Sequence, residues 1–202
     1  MNTNKTTTWA RGGWKRALDV LGVLLFAPFC AVLCAVVAVA VRVALGSPVL
    51  FFQERPGLNG RIFRLVKFRT MKTGEGNDAE RMTRFGRFLR ATSLDELPEV
   101  WNILRGEMSW VGPRPLLVRY LPLYTPEQAR RHGVRPGLSG WAQVHGRNRM
   151  SWEERFERDV WYVDHATFWL DAQIVWMTVA GIFRRKGISA EGEATMGEFR
   201  GG

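Results

Sequence analysis

Two carboxylates stand side by side at Asp95 and Glu96, in the string Leu94-Asp95-Glu96-Leu97-Pro98. An ionised carboxylate can attack phosphorus or hold a divalent metal ion. Acids just ahead of a helix N-terminus lie in the positive potential that keeps them ionised. Read from Ser93, the same string also matches the S-x-x-E pattern of a helix cap, whose work is local. Pro98 weighs against the cap. It disfavours helical geometry at Leu97, so a helix is expected to start after the pair and to run from Pro98 to about Leu104.

Phosphate chemistry also needs cations. Lys67, Arg69, Arg90, Arg114 and Arg147 are the candidates. Arg114 stands between Pro113 and Pro115, so its backbone is stiff, and a preorganised guanidinium suits recognition of phosphate oxygens. Any one of these residues can equally be a solvated surface charge; their closeness to rigid turns favours a shared site. Asp159 is a further candidate. It falls on the apolar stripe of a predicted helix with Trp152, Phe156 and Val163, where a carboxylate either pairs with a nearby arginine or faces the site.

The elements that must hold these residues are readable in outline. Val49 to Gln53 and Ile62 to Arg69 read as strands around the turn Arg55-Pro56-Gly57-Leu58-Asn59-Gly60. Lys67 and Arg69, two apart on the second strand, project to one face. Arg81 to Arg90 reads as a basic helical stretch. Ser151 and Glu154 form a capping box for a helix from Ser151 to Val163. Neither a phosphate-binding glycine loop nor a G-x-S-x-G string is present, which argues against P-loop, hydride-transfer and serine-hydrolase chemistry.

From Val20 to Val41 the chain carries no charge. A helix of that length can cross a hydrocarbon core of about 30 Å. It is too long for the apolar region of a signal peptide, and no clean cleavage site follows it. Pro28 falls inside the run and should kink it. Lys5, Arg11, Lys15 and Arg16 precede the run and Arg42 follows it. Because basic flanks favour the cytoplasmic side, a bent, re-entrant helix that keeps both flanks inside is expected rather than a spanning one. A second apolar stretch, Ala172 to Phe183, is too short to span and reads as an interfacial or buried helix. The three expected regions are residues 1–45, a membrane helix region; residues 46–186, a catalytic domain; and residues 187–202, a loose polar tail.

The formal net charge is +10 and the chain holds nine Trp, which suit an anionic membrane surface, a nucleic acid or phosphate-bearing substrates. Cys30 and Cys34 lie in the apolar run and the three histidines have no metal-ligand spacing, so neither a disulfide framework nor a zinc site is expected.

Six segments in order resemble the bacterial sugar transferase family, the monotopic polyprenyl-phosphate phosphoglycosyl transferases. They are Lys15-Arg16-Ala17-Leu18-Asp19, Gln53-Glu54-Arg55-Pro56-Gly57-Leu58, Lys67-Phe68-Arg69-Thr70-Met71, Leu94-Asp95-Glu96-Leu97-Pro98, Val111-Gly112-Pro113-Arg114-Pro115, and Arg135 through Val144. The resemblance implies an α+β, mostly helical fold with a small β-hairpin sheet, amphipathic interfacial helices and an N-terminal re-entrant membrane helix. It implies that Asp95 attacks the β-phosphate of a UDP-sugar and expels UMP, and that undecaprenyl phosphate takes the phosphosugar. Mg²⁺ would bind at Asp95 and Glu96, with Glu96 as metal ligand or base. Lys67, Arg90 and Arg114 would hold phosphates, with Arg147 and Asp159 as weaker parallels. The tail from Gly187 to Thr195 is similar to enzymes that transfer phospho-N,N′-diacetylbacillosamine. The family often has Ser-Pro at the membrane bend, where this chain has Ala27-Pro28. The implied location is the cytoplasmic face of the bacterial inner membrane.

Two other readings compete. A membrane-tethered nucleic-acid binder would use the charge but leave the acid pair idle, and no helix-turn-helix, zinc or RNA-recognition signature is present, so no nucleic acid is expected as partner. A non-catalytic scaffold of a glycan-assembly complex would release no UMP.

Overall fold

The computed structural model describes residues 7–146, 150–184 and 198–201. A short helix α1 (Thr8–Arg11) leads into α2 (Gly13–Leu45), whose most apolar window reaches a mean hydropathy of 2.8. Next come strands β1 (Leu50–Pro56) and β2 (Ile62–Phe68), then helices α3 (Asp78–Arg81) and α4 (Arg84–Thr92). A 3-10 turn, Leu94–Glu99, runs directly into α5 (Val100–Arg105), followed by strand β3 (Ser109–Val111). The second half holds α6 (Pro126–Ala129), strand β4 (Gly137–Ser139) and helices α7 (Trp141–His145), α8 (Trp152–His165) and α9 (Phe168–Arg184). The fold is mostly helical with two small sheets, β1 antiparallel to β2 and β3 parallel to β4.

The hairpin forms where the turn residues place it, with Leu50 opposite Phe68 and Pro56 opposite Ile62. Asn59 takes a left-handed conformation (φ 55°), which a short polar side chain tolerates. The basic stretch expected over Arg81–Arg90 is divided at Met82 and Thr83. Thr83 accepts from the Gly86 N–H and caps α4 as a separate helix.

Helix α2 continues through Pro28 without a break. It buries Lys15, Asp19 and Val23 near one end and Val37 and Val41 near the other. Val23 packs with Phe63, Leu65, Ile103 and Met108. Val37 and Val41 pack with Phe68 and Leu89. Both ends of the helix therefore rest on the same body. The face turned away shows Leu25, Phe29, Val32 and Val43 to the surroundings. The N-terminal end is tied down further by Asp171 of α9. This carboxylate is 2.5 Å from Lys15 Nζ and accepts from Trp9 Nε1 at 2.9 Å and from the Tyr162 hydroxyl at 2.7 Å.

The chain end is anchored where the sequence suggested a loose tail. Phe199 is buried among Leu116, Tyr120 and Phe156, and Glu198 pairs with Arg119 at 2.5 Å. An aromatic side chain gains too much from burial to stay in water when a ring cluster is within reach. The interval 185–197 lies outside the described residues.

Close backbone approach is built in at Gly86, where an added Cβ would lie 1.8 Å from the Thr70 carbonyl oxygen. Alanine there is expected to destabilise the protein by about 1–3 kcal/mol through overpacking, despite a helix propensity about 1 kcal/mol better than glycine's. Urea titration in mild detergent measures this. An unchanged or raised midpoint would mean that α4 is not seated against Thr70.

Candidate active site

The acid pair sits inside the 3-10 turn, one turn earlier than a helix starting at Pro98 would put it. Ser93 ends α4 in a left-handed conformation (φ 57°), and its hydroxyl makes no cap bond, so the S-x-x-E cap does not form. Side chains three apart eclipse in a 3-10 turn. Leu94 and Leu97 accordingly share one side and pack against the Val37, Val41, Phe68 and Leu89 cluster. Glu96 and Glu99 share another, where one lysine meets both. Lys67 Nζ lies 2.8 Å from Glu96 Oε1 and 2.9 Å from Glu99 Oε1. Arg114 Nη2 donates to the same Glu96 Oε1 at 2.6 Å.

This arrangement separates the two carboxylates chemically. Burial opposes ionisation of Glu96, but Arg114 and Lys67 override it and hold its carboxyl well below the usual range. Asp95 is buried too, and among the described residues nothing donates a hydrogen bond to its carboxylate. Burial first, and then the negative charge of Glu96, push it up to about 6, against the pull of Lys67, Arg114 and Arg90. At neutral pH Asp95 is thus an anion of raised basicity. Glu96 is a weak base and serves as counter-ion to two cations. Burial also raises Glu99, which Lys67 opposes.

Lys67, Asp95, Glu96 and Arg114 thus form one network, and Arg90 lies within its field while donating from Nε to Thr70 Oγ1 at 3.0 Å. Arg69 is not part of it. Its guanidinium donates to the Leu45 and Gly46 carbonyls at 2.6 and 2.7 Å, at the end of α2, where unpaired helix carbonyls carry partial negative charge. Asp159 takes the arginine-paired option. Arg131 donates to its Oδ2 from Nε at 3.0 Å and from Nη2 at 2.6 Å, and the same Nη2 also donates to the Arg114 carbonyl at 2.7 Å. Asp159 is therefore linked through Arg131 to the backbone of the Pro-Arg-Pro loop. Arg147 lies outside the described residues.

Three participants escaped the sequence reading. Glu99 was signalled by its place three residues after Glu96. Arg55 was signalled by its place in the Arg-Pro-Gly turn. Arg131 carried no local signal, because its partner is 28 residues away.

Among the described residues, no group of three or more His, Cys, Asp or Glu side chains gathers as a metal cage. Mg²⁺ commonly binds through one or two carboxylates and completes its shell with water and substrate phosphates. The hard oxygens of Asp95 suit that mode, as does Glu96 Oε2, because both cations grip Oε1.

A small body that sets a buried acid pair among cations, seated on a long apolar helix, has the layout of an enzyme for phosphate-bearing substrates. The sequence model of the bacterial sugar transferases matches residues 10–185, and the chain belongs to that family. It is 47% identical over 193 residues to the uncharacterized sugar transferase EpsL of Bacillus subtilis, covering 93% of this chain and 96% of that one. It is 40% identical to a UDP-glucose:undecaprenyl-phosphate glucose-1-phosphate transferase of Caulobacter vibrioides, covering 83% of this chain and 69% of the relative. Identity is 37% to a UDP-N-acetylgalactosamine-undecaprenyl-phosphate N-acetylgalactosaminephosphotransferase of Aeromonas hydrophila, of which this chain spans 43%.

Proposed function

We propose that the protein transfers a sugar 1-phosphate from a UDP-sugar to undecaprenyl phosphate, releasing UMP, in two displacements at Asp95. The observation that carries this is the split between the two acids: Glu96 is consumed by Lys67 and Arg114, while Asp95 is anionic, basic and without a donor among the described residues. In the first displacement an Asp95 oxygen forms a bond to the β-phosphorus. The bond from that phosphorus to the bridging oxygen breaks, and UMP leaves with the electron pair. In the second, an oxygen of the lipid phosphate attacks the same phosphorus and Asp95 leaves as the carboxylate. Lys67, Arg90 and Arg114 hold the phosphate oxygens as charge shifts among them. Mg²⁺ at Asp95 and Glu96 Oε2 would lower the repulsion between carboxylate and phosphoanhydride.

The lipid acceptor requires the site to stay at a bilayer surface, since each buried CH₂ of a polyprenyl chain contributes about 0.8 kcal/mol. A re-entrant α2, entering and leaving on the cytoplasmic side of the inner membrane, fits a helix whose two ends pack on one body. Helix α9 adds Trp169 and Trp176, 78% and 72% exposed, as an interfacial face. The net charge of +10 favours an anionic surface. The named relatives use glucose and N-acetylgalactosamine donors, and the tail suggested N,N′-diacetylbacillosamine, so the sugar is chosen by assay.

The test is UMP release by purified protein in bilayer discs with Mg²⁺, undecaprenyl phosphate and a panel of UDP-sugars. One or more donors should yield UMP and lipid diphosphosugar. A protein that leaves every donor intact is a scaffold, and this reading fails.

A further inference from the structure

Glu96 and Glu99 pair with Lys67 and Arg114, and Arg55 of β1, though drawn toward Glu99, forms no ion pair among the described residues. Its Nη1 donates to the Pro115 carbonyl at 3.2 Å and its Nη2 to Gln53 Oε1 at 2.6 Å, both neutral acceptors. Its Nε is buried with no partner among the described residues. No carboxylate among them lies within ion-pair distance of this guanidinium, although Arg114 is close enough for the two charges to repel. Burial first, and then that repulsion, push Arg55 down to about 10. A guanidinium shielded from water beside a second cation is costly unless an anion joins it.

The position of Arg55 indicates which anion. Nη1 donates to the carbonyl of the residue after Arg114, so β1 is tied to the Pro-Arg-Pro loop and the two guanidiniums lie close to one another. Glu96 already neutralises much of the charge of Arg114 and Lys67. A nucleoside diphosphate carries more negative charge than those two have to spare, and its nucleotide part keeps a phosphate after the bond breaks. We propose that Arg55 is a phosphate-binding residue for the diphosphate of the nucleotide sugar, an assignment that rests on the transferase reading above. Arg55 contributes the uncompensated charge, and Arg114 and Lys67 contribute the positions.

The experiment is calorimetric titration of UDP, UMP and uridine into the full chain in bilayer discs without lipid acceptor, for the unaltered protein, Arg55→Gln and Arg55→Lys. Glutamine keeps an amide donor for the Pro115 carbonyl and removes the charge. Arg55→Gln should weaken UDP about 10- to 100-fold, as for loss of a charged hydrogen bond, and flatten its salt dependence. Arg55→Lys should fall between, and uridine binding should not change in either. Unchanged UDP affinity in the variants overturns the assignment. So does an equal loss of UDP and uridine, since it would mean Arg55 only holds the loop. Should Arg55→Gln fail to unfold cooperatively, Arg55→Lys decides: a weakening of about threefold or more for UDP alone supports the assignment, and none overturns it. An unaltered protein that consumes a UDP-sugar while its Arg55 variants bind UDP normally refutes only this inference. One that consumes no UDP-sugar refutes the transferase reading beneath it.

Discussion

Asparagine in place of Asp95 is expected to reduce UMP release by about 10³-fold or more, because an amide cannot form the bond to phosphorus on which both displacements depend. The loss should appear in turnover with every donor, since the nucleophile is common to all of them. The same variant should unfold at a higher urea concentration. Burial and Glu96 raise the Asp95 carboxyl to about 6, so its ionised form opposes folding at neutral pH by something on the order of 1–3 kcal/mol. The sign follows from proton binding. The folded state holds the Asp95 proton more tightly than the unfolded chain, so the unaltered protein gains stability as pH falls below about 6. The gain is complete near the ordinary carboxylate range, where the advantage of the variant should vanish. Urea titrations of both proteins between pH 7 and pH 4 in chelator measure this. A variant less stable than its parent at pH 7 would contradict the electrostatic picture, and substantial residual turnover would contradict the chemical one.

Breaking the ion pair of Arg131 and Asp159 is expected to have the largest effect on stability. Both side chains are almost completely enclosed, at 1% and 3% exposure, and α8 reaches the Pro-Arg-Pro loop through them. Asp159→Ala leaves a guanidinium buried without its anion, for which about 3–5 kcal/mol is the usual loss. Replacing both partners together, Arg131→Met with Asp159→Leu, should recover most of that stability, because two apolar side chains have no charge to leave unpaired. It should not recover UMP release. The Arg114 carbonyl loses its donor, and the guanidinium on Glu96 loses its fixed approach. Urea midpoints and turnover of the two variants check both halves. An Asp159→Ala midpoint equal to that of the parent, or a fully active double variant, would sever the proposed link from α8 to Arg114.

What could be read in advance was governed by range. The hairpin was legible because Pro-Gly and Asn-Gly act within a few residues, and the start of α8 because Ser151 and Glu154 cap one another. Asp95, Glu96, Lys67 and Arg114 were legible as types beside rigid turns. Their division of labour was not, because Glu96 becomes a counter-ion only when partners 29 and 18 residues away close on one oxygen. Arg69 misled for a related reason. Strand alternation put it beside Lys67, but the carbonyls ending α2 offered a nearer partner. Pro28 lies inside α2 and does not end the helix. One lost backbone bond matters less when the segments on both sides are held by packing on the body. The onset of the turn that carries the acid pair was missed because Leu94 and Leu97 seek the cluster against α2, and that tertiary contact outweighs the local effect of Pro98.

The central claim is that Asp95 itself becomes bonded to phosphorus, and the most direct measurement is made without the lipid acceptor. Purified protein is mixed with an accepted UDP-sugar and Mg²⁺, quenched in acid within seconds, and analysed by intact mass and peptide fragmentation. A mass increase equal to one phosphosugar, confined to the peptide that carries Asp95 and chased off by undecaprenyl phosphate, is the predicted result. Lipid product forming at full rate with no adduct on Asp95 at any quench time would contradict it.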